Sequence, residues 1–208
     1  VDLDFGGTVT NQASGTISGS QGVYISGGAG TVTNAGIITG SNGIAVQFGG
    51  SGANTLILQT GSVLNGNAVG SLAGGATNAL VLQGAGRSDN AFLNFNTLDV
   101  QASGVWALNG VSTFDATTID SGTLAVGDSS HSGATLTSPV TVNAGGTLAG
   151  AGTVFGDIGV LSGGTIAPGA AGSISTLNVS GNVTFNASSF YRVNIDGAQS
   201  DRLVLSGT

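Results

Sequence analysis

Residues 7–25 read GTVTNQASGTISGSQGVYI, and residues 30–46 read GTVTNAGIITGSNGIAV. The second copy begins 23 residues after the first and keeps the same order. Thr-Val-Thr-Asn comes first, then Gly with a β-branched pair, then Gly-Ser-x-Gly, then an alternating apolar run. Alternation at period two is the mark of a strand with one buried face. Glycine and asparagine between such runs mark corners. A strand-and-corner unit repeated at this interval is one course of a stack.

Other stretches carry the same rhythm. NTLILQTG at Asn54 returns as NALVLQGA at Asn78, and Gly-Thr-aliphatic units recur at Gly122, Gly146 and Gly164. One strand anchor per unit gives Val9, Val32, Leu56, Leu80, Leu98, Ile119, Val140, Ile158 and Leu177, at intervals of 23, 24, 24, 18, 21, 21, 18 and 19. Helical repeats need longer periods, leucine-rich repeats need a Leu-x-x-Leu-x-Leu pattern that is missing, and a propeller blade needs about twice the interval. The expectation is an all-β, right-handed, single-stranded parallel β-helix of nine to ten coils of about 18–24 residues. Residues 1–139 and 140–208 are read as two regions of one continuous solenoid.

Composition agrees. The chain has 208 residues with 39 glycines, no lysine, no glutamate, no methionine and no cysteine. Apart from Ala and Leu, the best helix formers are therefore nearly absent, while Val, Ile, Thr, Ser, Asn and Gly favour strands and turns. Forty per cent apolar against 6% charged residues is the reverse of a disordered composition. Two prolines and the lack of a Gly-x-y period exclude collagen. A net charge of −7, with Arg87, Arg192 and Arg202 as the only basic side chains besides His131, argues against nucleic acid and anionic membranes as partners. No apolar run is long enough to span a bilayer, and no leader opens the chain at Val1.

Few residues invite chemistry. GGSGANTLI (49–57) has the form of the calcium-binding nonapeptide, but Asn54 stands where an aspartate belongs, so a corner capped by asparagine is expected. Asp99, Asp115 and Asp120 fall on neighbouring coils and would suit acid–base work on a glycan, with Arg87 the only nearby cation. His131 has neither a second histidine nor a cysteine to complete a metal site, and reads as a loop residue. Trp106 reads as inward packing. Two polar segments look like loops leaving the rod, where binding tends to reside. They hold Arg87, Ser88, Asp89 and Asn90 in the first, and Asp128, Ser129, Ser130 and His131 in the second. No catalytic, cofactor-binding or metal-ligating residue is assigned, and no cofactor is expected.

The last third carries the most specific pattern. Gly-Gly-Thr-Leu (145–148), Gly-x-Gly-Thr-Val (150–154), Gly-Gly-Thr-Ile-x-Pro-Gly (163–169) and Leu-x-Val-x-Gly-Asn (177–182) follow in order, and Asp196-Gly197 and Asp201-Arg202-Leu203 come after. This resembles the passenger-associated transport repeat of bacterial autotransporters, the proteins of type V secretion, followed by part of their autochaperone region. The resemblance implies a right-handed β-helix exported through the periplasm and outer membrane of a Gram-negative bacterium, and then secreted or held on the cell surface. It implies adhesion or another host-interaction role in virulence, without catalysis. It also implies as partners a host-cell surface protein or glycan, and the translocator β-barrel of the chain's own precursor. The chain then reads as a piece of a longer protein that does not itself insert into the membrane. The absence of cysteine suits passage through a narrow pore. The C-terminal coils, with Phe185, Phe190 and Tyr191, read as the folding seed. The alternatives are a β-helix glycan-active enzyme fragment and a structural stalk whose effector lies upstream.

Overall fold

The computed structural model describes residues 1–169 and 174–207. Thr208, the last residue of the C-terminal region, lies outside them. The described residues contain strands, turns and bends but no helix. The strands form two parallel sheets of twelve and ten strands, with one antiparallel hairpin pairing Ile195–Asp196 with Gln199–Ser200. Each strand pairs with its counterpart one coil away, and about nine coils stack into a β-solenoid. At about 4.8 Å per coil the stack rises roughly 40 Å.

The opening repeat sits on itself. Gly7 to Asn11 pair in register with Gly30 to Asn34, residue for residue. One inward column then runs Val9, Val32, Leu56, Leu80, Leu98, Thr117, Val140, Ile158, Val183. Two of the anchors expected from sequence are corrected. Ile119 belongs to the adjacent inward column with Val100, Val142, Val160 and Phe185, and the true rung is Thr117. A hydroxyl at an inward position hides the rung from a search for aliphatics. Thr117 is buried because its Oγ1 donates to Ser138 Oγ at 2.9 Å. Leu177 lies in the ten-stranded sheet, and the ninth rung is Val183. The last five intervals are therefore 18 (80 to 98), 19 (98 to 117), 23 (117 to 140), 18 (140 to 158) and 25 (158 to 183). The coils do not tighten toward the C-terminus, although the intervals of 18 and 19 between the last sequence anchors suggest that they do.

Trp106 is completely buried, and its Nε1 donates to Gln83 O at 2.9 Å. It faces Gly86 on the coil before, where an added Cβ would come within 2.6 Å of the indole. Glycine is required there by space. At Gly122 it is required twice, by a φ of +69° and by Ala102 O 2.6 Å from a notional Cβ. Phe48 and Phe92 each meet Phe95 edge to face, at 6.4 and 6.1 Å between centroids.

Asparagines hold the corners. Asn11 Nδ2 donates to Asn34 Oδ1 at 2.8 Å. Asn54 Oδ1 accepts Gly30 N, and its Nδ2 donates to Asn78 Oδ1. Asn96 continues the ladder by accepting Asn78 N and donating to Asp115. Both halves of the Asn54 amide are thus engaged in joining coils.

Candidate functional sites

The two polar segments expected as loops differ in kind. Gly127 to Gly133 is a pair of turns after the strand Ala116–Val126: His131 N donates to Asp128 O, and Ala134 N to His131 O, both at 3.0 Å. The other is corrected, because Arg87 and Ser88 end the strand Thr77–Ser88 and only Asp89 and Asn90 form the corner. Arg87 and Asp89 are exposed, whereas Ser88 is buried. An inward-facing Ser88, stacked beside Leu108, carries the strand further than its polar neighbours suggest.

The structure brings the two segments together through a residue that sequence reading passed over. Asn109, buried at the corner between them, donates through Nδ2 to Asp89 Oδ1 at 2.8 Å and Asp128 Oδ2 at 3.0 Å. Three successive coils thus present acid, amide, acid. Asp128 also accepts Ser130 N and lies 2.7 Å from His131 Nδ1. The His131 hydrogen bond, with smaller help from Ser130 N and Asn109, holds the Asp128 carboxyl below its ordinary value. Ser129 and Ser130 are exposed beside this cluster. Asn109 gives no sequence signal beyond its place in Leu-Asn-Gly at a corner.

Of the three acids weighed for catalysis, the structure brings Asp99 and Asp120 together and leaves Asp115 apart. Asp115 is an exposed corner residue bound by Asn96 Nδ2. Asp99 and Asp120 face each other across adjacent coils, and burial, then the Asp120 charge, push the Asp99 carboxyl up. Gln101 Nε2 donates to Asp99 Oδ2, and Asn143 Nδ2 to Asp120 Oδ1. Arg87 pairs with Ala107, eight positions along the strand from Asp99, too far to serve the same substrate atom.

At the C-terminal end, Phe185 and Tyr191 continue inward columns beyond Val160 and Ile166, yet remain 42% and 46% exposed. Their rings meet edge to face at 6.3 Å. Phe190 lies in the outward column that includes Thr165 and is also exposed. These side chains sit on the end strands of their columns, with no further coil covering them among the described residues.

A groove of about 320 Å³ crosses the outward face of the later coils. Thr123, Thr147, Ala125 and Ala149 form part of its floor, and Pro168, Arg192 and Asn194 contribute to its wall. Thr123 and Thr147 are stacked in register, as are Ala125 and Ala149. Buried Asp201 fixes the wall by accepting Ser175 N and Asn194 N, each at 2.9 Å.

No protein-family model, curated protein or solved structure matches this chain.

Proposed function

We propose that this chain is part of an autotransporter passenger, a rigid rod displayed on or released from a Gram-negative cell surface for adhesion to a host protein or glycan. On this reading it does no catalysis, and its C-terminal coils seed folding as the chain emerges from its translocator barrel. The observation that carries the reading is the ordered set of Gly-Gly-Thr motifs between residues 145 and 182. Two further features support it. An outward surface rich in Thr, Ser and Asn, with few charges, suits display in water and contact with neutral or glycosylated partners. A stack whose coils contact chiefly their neighbours can fold progressively from one end.

The test is export. The chain is placed between a secretory leader and a translocator barrel in a Gram-negative host, and surface exposure is read by antibody on intact cells. The reading expects surface staining, reduced when residues 140–208 are replaced by an unrelated solenoid segment of equal length. Retention in the periplasm, or export indifferent to that replacement, would refute it.

A further inference from the structure

We propose that the groove beside Arg192 is a binding site for an acidic sugar of the uronate class, with the sugar carboxylate on the Arg192 guanidinium. The inference deepens the adhesion reading by naming a ligand. It is tested on purified chain, so it can fail while export succeeds, and the reverse.

The chain carries a net charge of −7 and three arginines. Among the described residues the one ion pair is His131 with Asp128. None of the three arginines has a carboxylate within ion-pair distance among the described residues, and Arg192 is the one that lines the groove over the threonine and alanine columns. Asp201, which fixes the groove's wall, spends its two oxygens on Ser175 N and Asn194 N. An unpaired guanidinium is a planar fork of donors suited to a carboxylate. Arg192 also lies in a defined place, since its backbone N–H donates to Ile166 O and continues the ladder of the groove's own coils.

Shape and lining select the rest of the ligand. The groove's volume falls at the lower end of the range for small-molecule sites, enough for one or two sugar rings. Its floor sets a hydroxyl-bearing column, Thr123 and Thr147, beside a methyl column, Ala125 and Ala149, two residues along the same strands. Neighbours within a column lie about 4.8 Å apart, and the two columns about 6.6 Å apart. A pyranose presents the matching pattern, hydroxyls around a C–H face. An alkyl carboxylate would leave the threonine hydroxyls unpaired, which costs binding. A polyphosphate would need more than one cation. The Asn194 side chain adds a donor and an acceptor at the wall.

The probes are galacturonic acid, its dimer, galactose and hexanoate, titrated into the purified full chain and followed by backbone and methyl NMR shifts. Galacturonate and its dimer are expected to shift Thr123, Thr147, Ala149 and Arg192 with millimolar affinity, weakened by added salt. Galactose and hexanoate are expected to bind at least about tenfold more weakly, each lacking one half of the recognition. Arg192→Gln should remove uronate binding, and Arg192→Lys should retain part of it, with amide spectra elsewhere unchanged. Absence of shifts at tens of millimolar, shifts that map outside the groove, or hexanoate binding as well as galacturonate would each overturn the proposal. Because the map is read on wild-type protein, poor folding of a variant does not remove the test.

Discussion

Asn78 is the side chain on which the corner ladder depends most. Its Oδ1 accepts Asn54 Nδ2 and Ser71 N, at 3.0 and 2.9 Å, and its Nδ2 donates to Ser71 O and Asn94 O, both at 2.9 Å. All four hydrogen-bonding positions of the amide are filled, and the residue is buried. Asn78→Ala strips partners from a buried N–H, a side-chain amide and two carbonyls. At about 1 kcal/mol per lost bond the cost is about 4 kcal/mol, an upper value if water enters the space left behind. In a stack of nearest-neighbour coils the loss is local before it is global. The assay is native-state hydrogen exchange with urea denaturation. Amides of Leu80 and Leu82 should exchange on the order of a thousandfold faster, while those of Leu148 and Val160 change little. Asn78→Asp should be worse at neutral pH, because a carboxylate oxygen would face the two carbonyls. It should recover partly on acidification, since a buried acid with a raised pKa loses stability as pH rises through that value. A cost below about 1 kcal/mol, with unchanged exchange at Leu80 and Leu82, would refute the ladder as a structural support.

Three further outcomes are expected. Gly86→Ala should cost about 1–3 kcal/mol by driving a methyl into Trp106, and the penalty should shrink in a Trp106→Leu background; equal penalties in both backgrounds would dissociate the two residues. Thr117→Val should cost about 1 kcal/mol, read by thermal melting, because it deletes the buried bond to Ser138 while Ser138 keeps its bond to Pro139 O. Asp99→Asn should raise stability at neutral pH. The native Asp99 carboxyl titrates above its ordinary 3.8, so its charged form is disfavoured in the fold, and the gain should fade as pH falls through that raised value. A variant whose advantage over wild type does not change with pH would contradict this account of Asp99.

The repeat made the coil legible wherever the inward residue was aliphatic and the copy close. Val9, Val32, Leu56, Leu80 and Leu98 are rungs of one column, as their spacing predicts. Reading slipped at Thr117, where a hydrogen bond inside the rod replaces hydrophobic burial, and at Leu177, where a longer coil moves the next aliphatic into the other sheet. Tertiary pairing decides such positions, and no local pattern reports it. The same limit applies to function. Asp89 and Asp128 stood out as polar corner residues, but Asn109 joins them only because three coils stack in register. Arg192 stood out only as one of three arginines, and its setting beside a groove arises from residues as far back as Val105.

The central claim, that the rod is displayed outside the cell, is tested most directly in cells that naturally produce the chain. An antibody raised against residues 1–208 is applied to intact and permeabilised cells, with a periplasmic protein as control. The account predicts labelling of intact cells, or chain in the medium, while the control stays dark until permeabilisation. Labelling that appears only with the control would contradict it.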